Sequence, residues 1–181
     1  MTALRGKRVV LRAFRPDEIE PASHRMMGGS SVVPTGEASS RAGRLRARLE
    51  RSGSLSDGEI LFAIESGGRL VGDAQGRSLE MAMPPGVWEI GLELWDEGDR
   101  GRGLGREAVD LLASHLFAGE EAIRVQATTD LDNAAMRRVL DALGFGFEGV
   151  LHGFMPRADG PPCDYAIYGL TRAAWLARDL S

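Results

Sequence analysis

Two groups of residues in this sequence have the types and spacing that chemistry requires. The heptapeptide Arg100-Gly101-Arg102-Gly103-Leu104-Gly105-Arg106 sets three glycines at alternate positions among three arginines. Glycine leaves the main chain open to a bulky anion, and a helix beginning here offers its first, unpartnered N–H groups to the same charge. The heptapeptide therefore reads as a phosphate-binding turn. Just before it, Glu89 and Glu93 alternate with apolar residues, so both carboxylates fall on one face of a strand that leads to the turn. Either could take a proton from an amine, Glu93 first because it lies nearer the end of the strand and Glu89 second.

The spacing narrows the ligand. A dinucleotide fingerprint would need its third glycine where Arg106 stands, and the Gly-Lys-Ser/Thr of a nucleoside-triphosphate loop is absent. What remains is R-x-x-G-x-G, formed by Arg100, Gly103 and Gly105. The single cysteine, Cys163, excludes an internal disulfide and a multi-cysteine metal site, and its place beside Pro161 and Pro162 reads as structural. No metal site is expected. With 43% hydrophobic and 27% charged residues in a chain of 181, the composition is that of a globular protein with one domain over residues 1–181. The net charge of −4 argues against nonspecific nucleic-acid binding and is compatible with cationic or amine acceptors. No apolar run approaches the roughly 20 residues of a membrane span, and Met1 to Arg5 lack the apolar core of a signal peptide, so a cytoplasmic protein without membrane association is expected.

The elements that must position these residues follow from periodicity. Arg8 to Phe14 alternates as a first strand, and Pro16-Asp17 opens a helix to about Met27. Gly28 to Gly36 is a flexible connection, idle or closing over an acceptor; Ser39 or Ser40 then caps a second, arginine-rich helix to about Arg51. Ile60–Glu65 and Arg69–Gly72 form a hairpin about Ser66-Gly67-Gly68, followed by an irregular stretch from Gly76 to Gly86. Val87 to Trp95 is the fourth strand, Gly103 to about Ala118 the third helix, and Ile123 to Thr129 the fifth strand, a βαβ crossover with the phosphate turn at its first junction. His115 falls on or near the apolar stripe of that helix and reads as a core residue. Asp132 or Asn133 caps a helix ended by Gly144; Phe145–Gly153 and Asp164–Leu170 pair as a last hairpin, and Thr171 starts a terminal helix.

Taken together, the element order β-α-α-β-β-β-α-β-α-β-β, the turn signature, and the run from Asp132 to Phe145 resemble the GNAT-type, acetyl-CoA-dependent N-acetyltransferases, most nearly the subgroup that acetylates ribosomal-protein N-termini. The resemblance covers nearly the whole chain. It implies an α/β fold with a central mixed, mostly antiparallel sheet of about seven strands, the fourth and fifth splayed apart, flanked by helices. It further implies that the pantetheine arm of acetyl-CoA lies in the splay against Leu92, Leu94 and Trp95, that Arg100, Gly101, Arg102, Gly103, Leu104, Gly105 and Arg106 hold the pyrophosphate, and that Asn133 bonds the pantetheine or acyl end. A homodimer is implied by the resemblance alone.

The expected reaction is direct attack of a primary amine, on a protein or peptide N-terminus or a small molecule, on the thioester. Two positions depart from the family pattern: Leu140 stands where many members carry a tyrosine and Met136 where the ribosomal subgroup often carries a hydroxyl. Tyr165 and Tyr168 are the remaining hydroxyls that could protonate the departing thiolate. The departures leave open two alternatives, a non-catalytic acyl-CoA-binding module and a transferase for a bulkier acyl group.

Overall fold

The computed structural model describes residues 3–28, 38–80, 83–157 and 159–178. Among these residues the sequence patterns fold into eight strands in one sheet, ordered β1-β2-β3-β4-β5-β6-β8-β7. These are β1 (Leu4–Arg5), β2 (Val10–Arg12), β3 (Glu59–Ser66), β4 (Arg69–Ser78), β5 (Val87–Leu94), β6 (Arg124–Asp130), β7 (Gly146–Met155) and β8 (Cys163–Thr171). Five α-helices among the described residues flank it: α1 (Pro16–Gly28), α2 (Ala38–Glu50), α3 (Leu104–Gly119), α4 (Ala134–Ala142) and α5 (Arg172–Arg178). The eighth strand is Leu4–Arg5, which pairs with Val10–Leu11 across a tight turn closed by the Gly6 N–H on the Val9 carbonyl at 2.9 Å. The expected first strand is correspondingly shorter, and β5 and β6 are the strands expected as fourth and fifth. The stretch from residue 29 to 37, which holds most of the glycine-rich connection, lies outside the described residues. Helix α2 begins at Ala38, one residue before the expected cap positions.

Each face of the sheet has its own core. Alternation along β5 sends Trp88 and Ile90 into a cluster with Leu104, Ala108, Val109, Leu112 and Leu116 of α3. The other face packs Leu61 and Ala63 of β3 against Ala22 of α1 and Leu45 and Leu49 of α2, with Trp95 at the margin. His115 lies edge-on against Phe62 with ring centroids 5.9 Å apart, as a residue of the α3 stripe should. Trp175 of α5 stacks on Phe117.

Every neighbouring pair in the sheet is antiparallel except one. β5 and β6 run parallel and pair at only three positions, Val87 with Arg124, Trp88 with Val125 and Glu89 with Gln126. Beyond Glu89, β5 stays paired with β4 as far as Leu94, and beyond Gln126, β6 stays paired with β8 as far as Asp130. The two strands therefore part, as expected, and the sheet opens in its middle. One element runs further than its sequence suggests: β4 continues past Gly72 to Ser78, paired on both sides. Gly76 lies under Leu116, where a Cβ would come within 3.3 Å of the leucine and of Ile60, so this glycine admits a close helix rather than ending a strand.

Candidate active site

The parted strands frame a cavity of about 850 Å³. Ile90 to Leu94 form one wall, Thr128 and Thr129 the other, the glycine turn closes one end, and Asn133, just before α4, with Met136 and Arg138 on α4, closes the remainder. Trp95 donates its main-chain N–H to the Val71 carbonyl at 3.1 Å, and the Glu93 carbonyl faces Gly72. By the alternation of an antiparallel ladder, the N–H and C=O groups of Leu92 and Leu94 must then point away from β4, into the gap. The Leu94 carbonyl accepts there from Arg100 Nη2 at 3.4 Å.

The turn owes its shape to one buried acid. Asp99 closes a single 3-10 turn over Glu97–Asp99 and is buried, its carboxylate meeting Arg69 at 2.9 Å and Arg102 at 3.3 Å. The chain then passes through Gly101 and Gly103 at φ +73° and +80°, conformations that a side chain would strain, and enters α3 at Leu104. The first N–H groups of α3 have no carbonyl one turn earlier to receive them. Gly105 is the helical glycine of the signature; its missing Cβ would sit 3.7 and 3.8 Å from the Cδ1 atoms of Leu92 and Leu94, which keeps the cavity open between helix and strand. Glu107, the acid in the first turn, is directed away from the cavity: its Oε1 accepts from the main-chain N–H groups of Arg8 and Val9 at 2.8 and 3.3 Å. Arg100, Arg106 and Arg138 leave the cavity lined by positive charge.

Of the residues expected to bind cofactor, Leu92, Leu94, Arg100, Gly101, Gly103, Gly105, Arg106 and Asn133 all line this cavity. Three side chains do not. Trp95 lies on the opposite face of the sheet, Arg102 is held by Asp99, and Leu104 is buried in the core beneath α3. Asn133 is the N-cap of α4, its Oδ1 accepting from the Met136 N–H at 3.1 Å. The two carboxylates also separate. Glu93 lines the cavity, whereas Glu89 sits on the zipped part of β5, paired with Arg77 at 3.3 Å and outside both this cavity and the one described next. Tyr168 is buried, its hydroxyl accepting from Arg137 Nε at 3.2 Å, and Tyr165 packs against Phe154; neither reaches the cavity. Cys163 donates its thiol to the Met155 carbonyl at 3.4 Å, also outside it.

A second cavity of about 510 Å³ lies on the α2 face of β5, lined by Met26, Arg41, Arg44, Leu45, Arg48, Asp73, Gln75 and the same Gly91, Leu92 and Glu93. The two cavities thus meet across the strand at a glycine. Asp73, which the periodicity did not single out, stands directly opposite Glu93 in the β4–β5 ladder. It is only 5% exposed and accepts the Trp95 indole N–H at 2.9 Å on Oδ1. Burial, with a contribution from the Glu93 charge and against the pull of Trp95 and Arg48, raises its carboxyl to about 6. Asp73 and Arg138 were missed for different reasons: the first lies past a glycine read as the end of a strand, and the second is one of many arginines with no periodic signal. Among the described residues no group of three or more His, Cys, Asp or Glu side chains could hold a metal ion, and no helix is long and apolar enough to cross a membrane.

Comparison with known proteins agrees with this architecture. The acetyltransferase (GNAT) domain profile matches residues 8–146. No curated protein matches the sequence. Among solved structures, RimL, a ribosomal L7/L12 alpha-N-protein acetyltransferase in complex with coenzyme A, superposes with a TM-score of 0.75 at 14% identity over 96% of this chain and 99% of that one. RimJ of Mycobacterium smegmatis, in complex with a CoA-disulfide, gives 0.70 at 22% identity over 94% and 89%. The ribosomal-protein-S5-alanine acetyltransferase of Vibrio fischeri gives 0.75 at 16% over 97% and 99%. These likenesses are of fold; it is the match over residues 8–146, joined to the parted strands and the glycine turn, that identifies the chain as a member of the GNAT acetyltransferase family, acyltransferases whose co-substrate is acetyl-CoA.

Proposed function

We propose that the chain transfers the acetyl group of acetyl-CoA to a primary amine by direct attack, with no covalent enzyme intermediate. The observation that carries this reading is the meeting of two cavities at Gly91, Leu92 and Glu93: one is lined by main-chain groups, glycines and arginines, and the other holds the carboxylates of Asp73 and Glu93 at that junction, with arginines on its far wall. Gly101, Gly103, Gly105 and the start of α3, with Arg100 and Arg106, suit the diphosphate, because main-chain N–H groups and guanidinium forks both stabilise its charge. Main-chain groups of Leu92 and Leu94 suit the amides of the pantetheine arm. The Asn133 oxygen serves the helix cap, so its amide N–H₂ is the part available to the pantetheine or acyl end.

In the transfer, the amine nitrogen bonds to the thioester carbon, the C–S bond breaks, and coenzyme A leaves as thiolate while a proton passes from nitrogen to a carboxylate. An alkyl ammonium near pKa 10.4 must first give up a proton, which calls for a base whose own pKa lies nearer neutrality. Asp73, at about 6, meets that need better than an ordinary carboxylate, and Glu93 across the ladder favours the protonated product of the step. A thiol of pKa about 8.5 leaves without a dedicated acid, in keeping with Met136 and Leu140, the two departures from the family pattern.

Coenzyme A release from acetyl-CoA, measured against a panel of peptides and small amines, tests the reading. Saturable turnover on at least one amine is expected, and Gly105→Glu should abolish cofactor binding by calorimetry, since its side chain enters the cavity from an unstrained helical position. Saturable binding without turnover on any amine would reassign the chain as an acyl-CoA-binding module. Faster turnover with a longer acyl-CoA would reassign its donor.

A further inference from the structure

The cavity on the α2 face is polarised, and its polarity identifies a class of acceptor. At the β5 end stand Asp73 and Glu93; the wall facing them carries Arg41, Arg44 and Arg48. The three arginines fall at i, i+3 and i+7 on α2, so they share one side of the helix, next to Leu45, which is buried against the sheet. Arg48 is fixed in place, forked onto Glu59 and donating to Gln75 Oε1 at 2.9 Å. The phosphate turn lies beyond β5 and has arginines of its own, so those of α2 are not required by the coenzyme. In a chain of net charge −4, a wall of guanidinium groups opposite two carboxylates is a local reversal of the overall charge.

We propose that the acceptor is a primary amine carrying an anionic group, a carboxylate or phosphate, a few bonds from its nitrogen. This rests on the acetyltransfer reading above and deepens it. The amine end meets Asp73 and Glu93 beside the cofactor cavity, and the anionic end meets Arg41 and Arg44, whose planar forks match carboxylate or phosphate oxygens two at a time. A cavity of about 510 Å³ takes a free amino acid or the first residues of a peptide. A polyamine or a lysine-rich peptide would set its second positive charge against the arginines, and the cavity works against it.

The test compares coenzyme A release with four acceptors at equal concentration: free glutamate, a peptide with acidic residues at its second and third positions, the same peptide with the corresponding amides, and the same peptide with lysines. The acidic acceptors are expected to show at least tenfold higher kcat/KM than the amide peptide, an advantage that shrinks with added salt. The Arg41→Glu/Arg44→Glu double variant should lose that advantage and favour the lysine peptide. Glutamate against the acidic peptide separates a small-molecule acceptor from a peptide one. Equal or better turnover of the amide or lysine peptide, or a preference unchanged in the double variant, overturns the proposal while leaving acetyltransfer standing. Calorimetry of the acidic and amide peptides against the coenzyme-loaded protein provides a readout independent of turnover. Tighter binding of the acidic peptide without coenzyme A release from acetyl-CoA would uphold the arginine wall as an anion site while counting against acetyltransfer, and equal binding of the two overturns the proposal.

Discussion

Asp73 joins two properties that oppose one another. Burial holds its carboxyl at about 6, against an ordinary value of 3.8, so the folded protein retains a proton that the unfolded chain has released. The protonated side chain is the form the fold favours; its contribution is fully present below 3.8 and is lost as pH rises through about 6, costing on the order of 3 kcal/mol above that. Glu18 and Glu65 on Arg12, and Glu148 on Arg124, run the other way, lowered by those partners. A difference between two variants cancels these. Asp73→Asn keeps an oxygen for the Trp95 indole and removes the charge, so urea denaturation should find it more stable than the parent at pH 8 by up to about 3 kcal/mol, with the gain vanishing near pH 4. Its acetyltransfer should fall by roughly 100-fold or more, the usual effect of losing a general base, with little change in acetyl-CoA affinity. A variant that is less stable at pH 8, or fully active, removes Asp73 from the role given to it.

At the level of strands and helices, glycine has two uses here, and the sequence distinguishes them unevenly. Gly101 and Gly103 announce themselves by their spacing, because alternate glycines just ahead of an apolar helix make an open turn and little else. Gly72 and Gly76 look like strand breakers but are points of close approach: a Cβ on Gly72 would lie 2.0 Å from the Glu93 carbonyl oxygen. Ending the strand at Gly72 hides Asp73, and with it the ladder partner of Glu93. The parting of β5 and β6 is equally hidden, since β5 alternates without interruption from Val87 to Leu94 and nothing local marks where its second partner leaves; only the resemblance to a family supplied it. Trp95, expected at the cofactor, has its main-chain N–H on Val71 and its side chain on the other face of the sheet. Gly72→Ala should therefore act on the ladder itself, forcing β4 and β5 apart beside Asp73 and Glu93. It is expected to cost about 1–3 kcal/mol in urea denaturation and to lower turnover more than it lowers acetyl-CoA affinity. An alanine tolerated without loss of either would show that the ladder yields there.

The whole molecule is a sheet in two leaves, β1 to β5 and β6 to β8, joined along the strands at three positions and spanned by α3, which packs on both β5 and β6. In the proposed function, the coenzyme in the gap would make good the hydrogen bonding that the parted strands lack, by offering amide groups to Leu92 and Leu94 on one leaf and filling space against Thr128 and Thr129 on the other. Such a ligand binds the folded state alone, so mass action converts its affinity into stability: about 2.7 kcal/mol at a concentration one hundred times its dissociation constant. For a chain of this size that is a rise in Tm of about 5–11 °C. Coenzyme A should give this rise in thermal unfolding of the parent protein and none in Gly105→Glu. Hydrogen exchange locates the effect: the N–H groups of Leu92 and Leu94 should exchange readily in the free protein and become protected with coenzyme A, while those of Trp88 and Gln126, which point across the zipped part of the seam, should change little. Protection of Leu92 and Leu94 already complete without ligand would mean that the leaves close on each other in solution, and the route for the coenzyme between them would be lost.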